Sequence, residues 1–254
     1  MDWAAEKTKR HTLPLMARLN GKPIVDGSAV LIELNNRHYL ITADHVGIQK
    51  GDMRIDVGST LMQSDLGRFI SFSNIDITVV EILNPSPFVE IDSLNFVQED
   101  EIGIDHLPER ETSHPCYLIS GYPRSKAKQM WGNSERLAAH PFGFRTRAMS
   151  IEEQQSYPFE PSTHLLVRFS REKLVNGKTM VRHNPPQLQG ISGSGLWYQK
   201  SNSLLLAGIV IEQYPLNSPS AIVAVRMEAI TEGIRLTLDP SVKPSKFLNA
   251  HISQ

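Results

Sequence analysis

The sequence predicts an all-β protein. Apolar runs of period two recur along most of the chain, asparagine and glycine punctuate them, and helical spacing surfaces only near the C-terminal end. "PIVDGSAVLIEL" and "RHYLITADHV" flank Asn35-Asn36. Asparagine tolerates the left-handed conformation that a tight hairpin turn demands, so a hairpin is expected there. "REKLVNGKTMVR" repeats the arrangement around Asn176-Gly177, and further strand-like runs are "RFISFSNIDITVVEIL", "CYLISGYP", "HLLVRFS", "GLWYQ", "LLLAGIVIE" and "AIVAVRM". Met227, Ile230 and Ile234 stand at helical spacing and predict an amphipathic helix over about 226–236. Residues 1–10 and the tail "DPSVKPSKFLNAHISQ" are expected to be poorly ordered. The polar, acidic stretch 98–115 separates two strand-rich halves, so the expected units are residues 12–100 and 113–236.

Composition narrows the function classes. The 254 residues suffice for a substantial core. A net charge of −1 leaves no global field to favour nucleic acid or an anionic membrane, and neither is an expected partner. Arg124/Lys126/Lys128 and Arg145/Arg147 read as solvated loop charges. No apolar run reaches the roughly 18 residues that span a bilayer. The single cysteine, Cys116, cannot form an intrachain disulfide and reads as a small buried apolar residue. The N-terminus lacks the apolar core of a signal peptide, so a soluble, cytoplasmic protein is expected.

"LQGISGSGLW", residues 188–197, crowds small residues around Ser192. A serine is a poor nucleophile until a base takes its proton, and that base must itself be oriented and stabilised as it becomes charged. Among nine histidines, His45 follows the apolar strand "HYLITA", where a rigid scaffold can fix a side chain. Asp76, in "SNIDITVVEI", sits where a loop enters a strand; Asp44 and Asp92 are the fallback carboxylates. No histidine pair has zinc-protease spacing and one cysteine cannot build a thiolate cluster, so no metal and no cofactor are expected. An α/β-hydrolase elbow would need glycine at 194, where serine stands, and "NGKT" lacks the upstream glycine of a phosphate-binding loop.

"LITADHV", "NIDITVVEI" and "GISGSGL" resemble the histidine, aspartate and serine motifs of the chymotrypsin-like serine proteases, in that family's chain order. "CYLISGYP" and "LAGIVIEQY" resemble two strands of its second barrel, so the likeness spans about residues 24–235. It implies two antiparallel six-stranded β-barrels with the active site in the cleft between them. It further implies Ser192 as nucleophile, His45 as general base and then acid, Asp76 as orienting carboxylate, and the N–H groups of Gly190 and Ser192 as an oxyanion hole. Substrate-binding walls would come from Ile211, Glu212 and Gln213 and from Ala221 to Val223, with Pro186 near the base. Gly193 would let the chain leave without blocking the cleft, and a β-carbon at 190 should harm rate more than folding.

Three positions depart from the family pattern. Ile191 stands where secreted members carry the aspartate that pairs with a freed N-terminus. Asp44 precedes His45, and strand alternation predicts that it faces away from the ring. Ile211 stands where many members have a serine that supports the catalytic carboxylate. The resemblance implies peptide-bond hydrolysis on a protein or peptide substrate, with narrow specificity or gating by a regulatory partner protein, in a stress or defence pathway. Two other readings stay open: a catalytically inactive peptide-binding module on the same fold, and an esterase on the same barrels.

Overall fold

The computed structural model describes residues 3–46, 54–55, 66–89, 95–103, 116–130, 133–170, 187–200, 202–214, 220–239 and 241. The first half contains helix α1 (Trp3–Lys9), strands β1 (Thr12–Leu19), β2 (Lys22–Leu34), β3 (Arg37–Ala43), β4 (Arg54–Ile55), β5 (Leu66–Phe72) and β6 (Ile77–Ile82), and the short helix α2 (Ser86–Val89). There follow β7 (Cys116–Gly121), β8 (Ala127–Met130), β9 (Asn133–Ala139), β10 (Phe142–Arg147), helix α3 (Ile151–Gln154), β11 (His164–Phe169), β12 (Gly195–Lys200), β13 (Ser203–Tyr214), β14 (Ser220–Arg226) and helix α4 (Met227–Leu238). The protein is therefore mostly β with few helices, and its antiparallel sheet is curled into a half-barrel form.

Two six-stranded sheets hold the strands in the orders β4-β1-β2-β3-β6-β5 and β10-β7-β12-β13-β14-β11, and β8 pairs with β9 alone. An isolated bridge between Ala148 and Val167 links the two outer strands of the second sheet. The β2–β3 hairpin turns on Asn35 and Asn36, both left-handed at φ 52° and 57°. A second turn of this kind, Asn20-Gly21, joins β1 to β2.

Strands β3, β13 and β14 are buried through runs of consecutive residues, which explains why they read as continuous apolar segments. One core cluster crosses both sheets: Leu31, Leu40 and Val79 belong to the same packed group as Trp197, Ile209 and Val223. Met227, Ile230 and Ile234 are fully buried on the inner face of α4, which rests on β13, β14 and β5. The predicted stripe is thus the face that docks.

Residues 1–10 depart from expectation. Trp3–Lys9 is helical, with Ala4 and Thr8 fully buried. Lys7 pairs with Glu101 at 2.6 Å, and the His11 Nδ1–H donates to Asn95 O at 2.9 Å. Those contacts come from residues more than 80 positions away, so nothing local announces them. Arg124 is likewise no solvated loop charge: it pairs with Asp26 at 2.8 Å and donates through Nε to Val25 O. Cys116 is half-buried rather than buried. The Asn176-Gly177 hairpin, Asp92, Pro186, residues 104–115 and all of the tail but Asp239 and Ser241 lie outside the described residues. Among the described residues, no helix is long and apolar enough to cross a membrane.

Candidate active site

Antiparallel pairing brings His45 and Asp76 together. Strands β3 and β6 are in register at Ala43 and Ile77, so the residues just after the one and just before the other must meet. The Asp44 N–H donates to Asp76 O at 3.0 Å. Asp76 closes the turn of Ser73–Ile75 in the left-handed conformation, φ 56°. Only glycine, asparagine and aspartate adopt that conformation with ease, so position 76 is restricted by its backbone as well as by its chemistry.

The Asp76 carboxylate holds His45 twice. Oδ1 accepts the His45 backbone N–H at 3.0 Å and Oδ2 accepts the ring Nδ1–H at 2.6 Å. A carboxylate can only accept, so Nδ1 carries the proton and Nε2 is left for proton exchange. The His45 side chain is 51% exposed, which lets a reactant reach it. Its pKa is raised above the usual 6.5, first by the hydrogen bond to Asp76; burial opposes, and the charges of Asp76, Glu212 and Asp26 add to the rise. Asp44 does not compete for the ring, because its carboxylate accepts from the hydroxyls of Ser71 and Thr78 on β5 and β6.

The Ser192 turn is folded against the first sheet through Ser28 of β2. The Ser28 N–H donates to Ser192 O at 2.8 Å, its hydroxyl donates to Gly190 O at 2.9 Å and accepts the Tyr122 N–H at 2.9 Å, and its carbonyl accepts from Thr42 Oγ1 at 2.7 Å. On the other side, the Gly193 N–H donates to Val210 O and the Val210 N–H donates to Ser194 O. Gly190 and Gly193 are left-handed, at φ +94° and +86°. Ile191 is buried in the second core cluster, so its side chain packs where an activating carboxylate would need a charged partner. Among the described residues, neither the Gly190 nor the Ser192 N–H donates to a protein acceptor. No hydrogen bond joins the His45 ring to Ser192 Oγ among them either.

No family model and no curated protein sequence matches the chain.

Both glycines are also held by close packing. A β-carbon on Gly190 would lie 2.7 Å from Tyr122 O and 2.9 Å from Arg124 N, so a side chain there disturbs packing as well as the turn. A β-carbon on Gly193 would strike the Ser28 carbonyl and the Thr42 hydroxyl. Gly193→Ala combines left-handed strain with overpacking against backbone. It is expected to lower stability by about 3 kcal/mol. Chemical denaturation followed by circular dichroism checks this; an unchanged midpoint would contradict the packing described.

Beside His45 lies a cavity of about 470 Å³ whose walls include Asp76, Pro158, Phe159, His164, Ile211 and Glu212. Of the sequence-predicted substrate residues, Ile211 and Glu212 line it. Gln213 is exposed beyond it, with Nε2 3.5 Å from Ser220 Oγ, and Ala221 is fully buried within β14. Ser192 sits in the neighbouring turn, half-buried. Sequence reasoning missed Ser28 and the wall from Pro158 to His164. For Ser28 a signal existed: Gly27-Ser28 are small residues inside an otherwise bulky strand, a mark of another backbone approaching closely. Among the described residues, no group of three or more His, Cys, Asp or Glu side chains is arranged to hold a metal ion.

Proposed function

We propose that the protein is a serine endopeptidase of the chymotrypsin-like fold, hydrolysing peptide bonds through an acyl-enzyme on Ser192. The observation that carries this reading is the double grip of the Asp76 carboxylate on His45, which sets the tautomer a general base needs. The strand orders support the fold half of the reading. We take each six-stranded sheet as a barrel, the second closed by the Ala148 to Val167 bridge.

In this mechanism His45 Nε2 takes the Ser192 Oγ proton as Oγ bonds to the carbonyl carbon. The oxyanion that forms accepts the N–H groups of Gly190 and Ser192, which have no other acceptor among the described residues. The imidazolium then gives its proton to the leaving amine, and water activated by the same nitrogen hydrolyses the ester. The contact between base and nucleophile commonly tightens only in the substrate complex, so the mechanism needs the His45 to Ser192 hydrogen bond there and not before. The chemistry calls for no cofactor.

The open edge of β13 supports an extended peptide as substrate. Pairing with β12 ends at Ile209, and past the bonds to Val210 the segment Ile211–Tyr214 has a hydrogen-bonded strand only on the β14 side among the described residues. A peptide adding there would lie across the front of His45. We read the enzyme as cytoplasmic, narrowly specific or gated by a partner protein, and directed at a partner protein in a stress or defence pathway.

Labelling with a fluorophosphonate tests the reading. Modification of Ser192 is expected, lost in Ser192→Ala and in His45→Ala. A folded protein that resists the reagent would assign the cleft to peptide binding without hydrolysis, which the hydrophobic Ile211 beside Asp76 would then favour. Matched peptide and ester substrates separate a peptidase from an esterase, and free digestion of unrelated unfolded proteins would remove gating.

A further inference from the structure

The cavity beside His45 holds negative charge that no lysine or arginine among the described residues offsets. Glu212 and Asp76 both line it, and among those residues neither lysine nor arginine does. Asp76 is occupied by His45, whereas Glu212 makes no ion pair with a lysine or arginine among the described residues. Partial burial, and then the Asp76 charge, push the Glu212 carboxyl above its ordinary range, with His45 opposing. Such crowding of like charge is relieved by a bound cation. Beside the polar Ser73, Asn74 and His164, the wall has an apolar part made by Ile75, Pro158, Phe159 and Ile211, with the Phe159 ring edge-on to Tyr214 at 5.4 Å. An apolar wall with a carboxylate at one side matches a side chain that has an aliphatic stem and a cationic head.

Successive side chains of an extended peptide point to opposite sides. A peptide along Ile211–Tyr214 therefore directs one of its side chains toward the His45 cavity. We propose that Glu212 makes this cavity a subsite for a lysine or arginine side chain on the acyl side of the scissile bond. This rests on the peptidase reading of the site. An uncharged side chain could fill the same walls but would leave Glu212 without a partner.

The test is a panel of fluorogenic peptides in which one acyl-side residue at a time is lysine, norleucine or glutamate. Wild-type kcat/KM is expected to favour lysine over norleucine by about fivefold at one position. That ratio should fall toward one as salt is raised, because screening acts on an exposed pair. It should also vanish in Glu212→Gln and turn toward glutamate in Glu212→Lys. A ratio near one at every position, or one that survives both added salt and Glu212→Gln, overturns the subsite. The salt series needs no variant, so a misfolded substitution leaves the test intact. Fluorophosphonate labelling of the wild type separates the two levels of inference. If Ser192 is not labelled, the peptidase reading fails, and binding of the lysine peptide, with its side-chain ammonium free, and of the norleucine peptide to Ser192→Ala then decides the subsite. Salt-sensitive selection of the lysine peptide supports it, and equal binding overturns it.

Discussion

Ser192→Ala is expected to lower kcat by about 10⁶-fold, and His45→Ala by a similar factor. The two should not multiply, because a nucleophile without its base and a base without its nucleophile fail at the same step. What remains in either variant is the action of the oxyanion N–H groups and of substrate binding, which the substitutions leave in place. Folding should survive Ser192→Ala, since the turn is anchored through main-chain groups at Ser192 O, Gly193 N–H and Ser194 N–H. Progress curves on a fluorogenic peptide, with thermal melts as the control for folding, make the comparison. A folded Ser192→Ala protein within tenfold of wild type would sink the acyl-enzyme.

Asp76→Asn is expected to lower kcat/KM by about 10⁴-fold. Asparagine tolerates the left-handed φ of 56° at this position, so the backbone need not move, whereas alanine would add strain to the loss. The amide can donate to Nδ1 and thereby select the tautomer whose Nε2 already carries a proton, which is useless as a base. The pH profile gives a second readout. In the proposed mechanism hydrolysis needs neutral His45, whose pKa lies above 6.5 chiefly because of the Asp76 hydrogen bond. Wild-type kcat/KM should therefore climb through a midpoint above 6.5, and the residual activity of Asp76→Asn should climb through a lower one. The same displacement gives stability its sign. The charged pair favours the folded state below the unfolded histidine's pKa, and that contribution is lost as pH rises through the folded value. A variant with an unmoved acid limb would show that Asp76 does not govern the base.

Features set by a few neighbours were legible in the chain. Asn35-Asn36 marked its hairpin because two adjacent left-handed residues are a local demand, and Met227, Ile230 and Ile234 marked α4 because a helix repeats its buried face every turn. His45 and Asp76 were legible as strand-end residues, and the pairing of β3 with β6 does the rest. The Asn20-Gly21 turn was equally local and was overlooked. Other features had no local sign. Trp3–Lys9 is short, and its buried positions are defined by what packs on them. Strand β9, with Ser134, Glu135 and two alanines, lacks the branched alternation that betrays β2 and β6. The cavity wall at Pro158 and Phe159 exists only because a loop from the second half folds over against His45.

Ser28 has a consequence for how the molecule fails. It ties the Ser192 turn to a strand of the opposite half through both its main chain and its hydroxyl, and it is fully buried. Any fluctuation that parts the halves must carry off the machinery's geometry in the same stroke. Thermal inactivation and separation at the seam should then be one event, with no loosened, still-competent form between the working molecule and the inert one.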